Sequence, residues 1–189
     1  MTLYDPKTTA LISIDLQGLV LGRALAPHSA QEIVENTAAI ARKLKTDGGT
    51  VVFVTVGFSA DYADAVNQPT DETISFPQGG LPAAAMAEPA DIAAFTPDVR
   101  ILKRHWSAFY GTELDLQLRR RGIKTVIVTG VATNFGVEST VRDAYGHNYA
   151  VIVASDAATT FTPEMHDFAL TRIFPRLSRV RKTADILAN

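Results

Sequence analysis

A three-layer α/β/α fold on a mostly parallel, Rossmann-like sheet of about six strands is the architecture this sequence predicts. Three observations point to it. Apolar runs rich in Val and Ile do not alternate with polar residues, so both faces of each strand are expected to be covered. Helical stretches stand between the runs, and strand–helix alternation implies parallel pairing. Polar residues of chemical interest fall just beyond the C-terminal ends of the runs, where open parallel sheets bind ligands.

The five runs are Ala10–Ile14, Thr50–Val56, Val99–Leu102, Thr125–Val131 and Ala150–Ala154, and a weaker sixth lies near Ser178–Arg181. Helices are expected over Ser29–Leu44, Thr112–Arg121, Val137–Tyr145 and Pro163–Phe174. In the first, Ile33, Thr37, Ile40 and Leu44 recur at helical spacing, and Asp47-Gly48-Gly49 stops it. The second is expected to open on a capping box of Thr112 with Asp115 and to end at Gly122. Gly57–Pro97 differs, being rich in Pro, Gly, Ala and Asp without a clear strand. It is expected to be either a lid or oligomer contact, or a solvated insertion with one short helix near Leu81–Ala87. No linker interrupts the chain, and residues 1–189 are expected to form a single domain.

Composition narrows the function. Lys and Arg number 18 against 20 Asp and Glu, a net charge of −2, which gives no case for nucleic acid or an acidic membrane surface. The absence of cysteine excludes disulfides, thiolate metal sites and a thiol nucleophile. The start, Thr2-Leu3-Tyr4-Asp5-Pro6, lacks the basic flank and apolar stretch of a signal peptide, so a cytoplasmic location is expected. No apolar run approaches the ~20 residues of a membrane span.

Three strand ends carry chemistry. Asp15 directly follows the first run; a carboxylate there is partly desolvated and can serve as acid or base, or simply end the strand. Lys103 ends the third run; beside Asp15, each would favour the other's charged form, whereas the plain alternative is a surface lysine. His105, alone in its stretch, reads more readily as a structural hydrogen bonder than as a base. The third end is Gly130-Val131-Ala132-Thr133-Asn134-Phe135-Gly136, where strand passes to helix through small and hydroxyl-bearing residues. A helix N-terminus at Gly136 would offer backbone N–H groups to a carboxylate or oxyanion, or be an ordinary start capped by Thr133 or Asn134. It lacks the glycine spacing and Gly-Lys-Ser/Thr ending of a phosphate loop.

In this order, strand-Asp15, strand-Lys103 and Gly-Val-Ala-Thr-Asn-x-x-Val-Glu-Ser-Thr-x-Arg-Asp-Ala, the chain resembles the isochorismatase-like hydrolases, also called cysteine hydrolases. The likeness covers essentially the whole chain, with Lys103–Arg120 and Gly130–Ala144 its most specific parts, and within the family it looks most like the YecD-type branch. The resemblance implies a catalytic aspartate at Asp15, a lysine at Lys103 and a cysteine at the position of Gly136. Family amidases attack an amide carbonyl with that thiolate; here that route is closed. Ser139 and Thr140 are expected to point away or be capped, and the hydroxyl of Thr133 would need a base. The family also implies a cis peptide between Val131 and Ala132.

Isochorismatases proper carry glycine at that position and hydrolyse a vinyl ether. Their aspartate protonates the enol-ether carbon and water adds to the resulting cation, so Asp15 and Lys103 could suffice. The chain departs from them in two places. Gln68-Pro69 lies well beyond Val56 without an aromatic-rich segment, and Ala132-Thr133-Asn134 replaces a Tyr-Ala-His-like turn. Isochorismate itself is therefore not the expected substrate. Nicotinamidases of the family bind a metal through Asp-x-His and a later His after the second strand. Gly57–Asp64 contains no histidine, and His28, His147 and His166 are dispersed, so neither a metal nor another cofactor is expected.

The expectation is a hydrolase of a small, carboxylated molecule acting by acid catalysis from Asp15. Lys103 would tune the acid. Backbone N–H groups at Phe135 and Gly136 would hold a substrate oxygen, with Ala132, Thr133 and Asn134 forming the turn. Gln17 would contact substrate or orient water, and Arg104, Arg23 and Arg142 are candidate carboxylate clamps or, equally, members of surface ion pairs. The competing expectation is a catalytically silent small-molecule-binding relative. By resemblance the protein is expected to be a homo-oligomer.

Overall fold

The computed structural model describes residues 2–189. Its centre is a six-stranded sheet of β1 (Thr9–Ile14), β2 (Thr50–Val56), β3 (Val99–Lys103), β4 (Thr125–Val131), β5 (Ala150–Thr159) and β6 (Arg179–Arg181). The spatial order is β3-β2-β1-β4-β5-β6, and every pairing is parallel. The chain winds outward from β1 to β3, then returns to the other side of β1 and winds outward again. The switch point therefore lies between β1 and β4, the crevice where such sheets take ligands.

Burial follows the pleat. Every residue of β1 and β4 is buried, while β3, an edge strand, alternates buried with exposed. Successive strand residues face opposite layers, so Ile12 and Ile14 fall in one apolar cluster and Leu11 in another. Against the first pack α5 (Leu114–Arg120) and α6 (Glu138–Gly146); against the second pack α2 (Ala30–Thr46) and α8 (Thr183–Leu187). Helix α2 begins where Ser29 accepts a hydrogen bond from the Glu32 amide (3.2 Å) and buries Ile33, Ile40 and Leu44 against the sheet. Each such side chain contributes on the order of 1.5–3 kcal/mol by leaving water. Gly48, at φ +84°, ends it.

Several boundaries differ from expectation, each for a local reason. Strand β5 runs on to Thr159 through Ser155 and Asp156, which look like a strand end in the sequence. Asp156 instead receives the Thr183 amide and hydroxyl (both 2.7 Å) at the start of α8, and the β4–β5 register shifts between Val128 and Gly130 to absorb the extra residues. The Thr112–Asp115 capping box does not form. Thr112 accepts from the Leu114 amide (3.1 Å), while Asp115 accepts from the Tyr149 hydroxyl (2.8 Å) and pairs with Arg119. The helix expected to start at Val137 is preceded by a wide π-type turn over Thr133–Val137. The last long helix divides into α7 (Pro163–Phe168), a second wide turn and a tight turn at Pro175, whose missing N–H breaks the ladder. The Gly57–Pro97 segment holds two short helices rather than one, α3 (Ala83–Met86) and α4 (Ala90–Ala93). A further single turn, α1 (Gly18–Leu21), follows β1.

Candidate active site

Ile14, Val54 and Ile101 share one register level across β1, β2 and β3. Asp15 stands one residue beyond it and Lys103 two. Strands β1 and β3 are separated by β2, a gap of about 10 Å at two strand spacings. The four-carbon lysine stem crosses it, and Lys103 Nζ lies 2.7 Å from Asp15 Oδ2. Both are buried, with Asp15 5% and Lys103 2% exposed. Asp15 adopts a left-handed backbone (φ +54°), which aspartate tolerates better than most residues. Its amide is held by the Val54 carbonyl (2.9 Å).

The second carboxylate oxygen, Oδ1, is buried and has no hydrogen-bond partner. Burial pushes the Asp15 carboxyl up to about 6, with the charge and hydrogen bond of Lys103 pulling the other way. The group is thus poised between acid and base, with one oxygen held and the other free.

Across the crevice, Val131–Ala132 is cis, as expected. Gly130 (φ +113°) lets β4 approach β1: a β-carbon there would stand 2.0 Å from the Ile14 carbonyl oxygen. Gly136 lies over the same strand end. A β-carbon at Gly136 would meet Ile14 Cγ2 at 3.1 Å and the Trp106 and Val131 carbonyl oxygens at 3.4 Å. Asp15, Lys103 and the turn carrying Gly136 are therefore gathered at one end of the sheet.

Other expected contacts are redirected into the protein. The Phe135 amide donates to the Ala132 carbonyl (3.0 Å), which also receives Val137 (3.1 Å), so Phe135 N–H is not free for a substrate oxygen. Asn134 accepts from the Thr160 hydroxyl (2.6 Å). Thr133 pairs with His166 Nδ1 (2.8 Å), both fully buried; burial chiefly, and then His28, lower the His166 pKa. In the sequence His166 is only one of three dispersed histidines; the packing of α7 against that turn reveals the contact. Thr140 donates to the Gly136 carbonyl (2.7 Å), capped as expected. His105 accepts from the Ser107 amide (3.2 Å), a structural role.

Gln17 is fully buried. Its amide nitrogen donates to Val56 O (2.9 Å) and Ala85 O (3.2 Å), and its oxygen accepts from the Val56 amide (2.8 Å). It fastens α3 to the end of β2, with its amide engaged within the protein. Arg104 donates to Gly57 O (2.7 Å) and pairs with Asp64, so it secures the 57–97 segment. Arg142 pairs with Glu138 one turn back on α6. Arg23 is exposed and lies over the Phe161 ring (5.6 Å to its centroid). Among the described residues, no group of three or more His, Asp or Glu is placed to hold a metal. No helix among them is long and apolar enough to cross a membrane.

Fold and site together define a parallel α/β protein with a buried acid–lysine pair at the switch point of its sheet. The isochorismatase domain model matches residues 9–185, and the chain belongs to the isochorismatase family. It is 45% identical over 183 residues to the isochorismatase family protein YecD of Escherichia coli O157:H7, covering 97% of this chain and 96% of that one. It is 40% identical over 184 residues to YwoC of Bacillus subtilis, covering 97% and 94%. The structure of an isochorismatase family protein from Burkholderia thailandensis is similar at a TM-score of 0.91 and 41% identity, over 96% of this chain and 95% of that one.

Proposed function

We propose that the protein hydrolyses a small, carboxylated molecule by acid catalysis from Asp15, with no nucleophilic side chain. The observation that carries this reading is the Asp15 carboxyl itself. Oδ2 is held by Lys103, Oδ1 is unpartnered, and burial raises the pKa to about 6. A carboxylic acid near that value holds its proton in a useful fraction of molecules around neutral pH.

For a vinyl ether the steps balance without a side-chain nucleophile. The Oδ1 proton passes to the terminal vinyl carbon, leaving an oxygen-stabilised cation. Water adds to that cation and loses a proton to the Asp15 carboxylate. The resulting hemiketal breaks into a carbonyl compound and an alcohol. Lys103 stabilises the carboxylate formed in between, and the Gly136 amide is the candidate donor to a substrate oxygen. The glycine supports this chemistry because it leaves no thiol for acyl transfer.

The test is a substrate screen of wild type beside Asp15→Asn, with vinyl ethers and a panel of small amides and carbamoyl compounds. Turnover of a vinyl ether, lost in Asp15→Asn, is expected. Turnover of amides instead would contradict the role given to Gly136. Silence across the panel, with thermal stabilisation by one of its members, would favour a binding protein.

A further inference from the structure

We infer that Arg23 is the carboxylate-recognising residue of this site, and that its ligand is a small acid with a flat, conjugated body lying along Phe161, Phe135 and Trp106. The inference rests on placing the site in the β1–β4 crevice, as proposed above, but not on the chemistry given to Asp15.

Three aromatic side chains form a continuous wall beside that crevice. Trp106 meets Phe135 edge to face at 5.1 Å between centroids, and Phe135 meets Phe161 at 6.2 Å. Phe135 immediately precedes Gly136, where a β-carbon would meet the Trp106 carbonyl oxygen at 3.4 Å and Ile14 Cγ2 at 3.1 Å, so the wall begins beside the residue that precedes Asp15. It ends at Arg23, whose guanidinium sits over Phe161. The wall is open to water on one side: Trp106 is 54% exposed, and Phe135 and Phe161 are half-buried at the margin of the second apolar cluster. Large rings left open to water beside a functional crevice are suited to a planar partner.

Charge places the acid group. Of the three arginines the sequence offers as clamps, Arg104 is paired with Asp64 and Arg142 with Glu138. Among the described residues Arg23 makes no ion pair. A guanidinium stacked on a ring keeps its in-plane N–H donors along its edge, the geometry that binds a carboxylate bidentately. It lies on the connection that leads from Asp15 to α2.

The test uses 3-ethoxybenzoate and its uncharged twin, 3-ethoxybenzamide, which carry no bond this site would cleave. Binding is read by calorimetry and by the fluorescence of Trp106, the only tryptophan in the chain. Wild type is expected to bind the carboxylate at least about tenfold more tightly than the amide. Arg23→Met, an exposed change that leaves the fold intact, is expected to abolish the difference, and Arg23→Lys to keep part of it. The saturated-ring acid 3-ethoxycyclohexanecarboxylate is expected to bind more weakly than the benzoate. Equal affinity for benzoate and benzamide, no affinity for either, or a preference that survives Arg23→Met would overturn the role of Arg23. Equal affinity for the flat and saturated acids would overturn the aromatic wall. Discrimination by Arg23 without vinyl-ether turnover would instead leave this inference standing and remove only the acid chemistry of Asp15.

Discussion

At Asp15 two effects oppose each other, and burial wins over the neighbouring ammonium, so the carboxyl titrates at about 6 rather than at its ordinary 3.8. Between those values the folded protein keeps a proton that the unfolded chain has released. Stability therefore falls as pH rises from about 4 to about 6, and this contribution is level above that. Removing the partner charge moves the Asp15 value further up and extends the window. Lys103→Met is thus expected to lose little stability at pH 5 and about 3–5 kcal/mol at pH 8, measured by urea unfolding against wild type. An equal loss at both pH values would show that the two groups do not share a buried site. Activity has the matching sign. The protonated form does the work, so kcat/KM is expected to fall about tenfold per pH unit above pH 6. Asp15 and Lys103 were legible in the sequence because each ends an apolar run. His166 was not, because its role comes from a helix folded back onto a turn 33 residues away.

The β4-to-α6 connection is shaped by two glycines with different duties. Gly130 permits a positive φ and a backbone approach that any β-carbon would obstruct at 2.0 Å. Gly130→Ala is expected to cost at least about 3 kcal/mol. At Gly136 the nearest atoms would stand at 3.1–3.4 Å, tight but movable. Gly136→Ala is expected to fold with a loss of about 1 kcal/mol. Thermal unfolding of the two variants side by side checks the contrast, and similar losses would contradict it. The existence of β1, β2 and β4 was legible because fully buried parallel strands must be apolar throughout. The extension of β5 was not, since its polar residues serve another element: Asp156 caps α8. The contacts of Gln17 and Arg104 were hard to read for a related reason. Polar residues near a buried carboxylate look like substrate contacts, and here their polar groups fasten the 57–97 segment to the sheet.

Across the molecule, order is concentrated in the sheet and its two apolar layers. Residues 59–80 of the long segment contribute few backbone hydrogen bonds, among them Tyr62 to Ser59 and Ala65 to Tyr62. Its aromatic cluster of Phe58, Tyr62 and Phe76 packs locally. Amides of β1 and β4 are expected to exchange with deuterium only on global unfolding, and those of 63–80 within seconds to minutes. Protection of 63–80 at the level of β4 would mean that this segment belongs to the core. The sequence showed this segment as structurally distinct but not its form. Short helices of four residues carry almost no periodic signal, and α3 is held by the Gln17 side chain and the Gly18 amide, both remote in sequence.

The most direct test of the acid chemistry at Asp15 is hydrolysis of a vinyl-ether carboxylate in D2O, with the product examined at once by mass spectrometry. Transfer of the Asp15 proton to carbon should place one solvent deuteron on the former vinyl carbon, with turnover lost in Asp15→Asn. A product free of carbon-bound deuterium, or undiminished turnover in Asp15→Asn, would contradict acid catalysis by this residue.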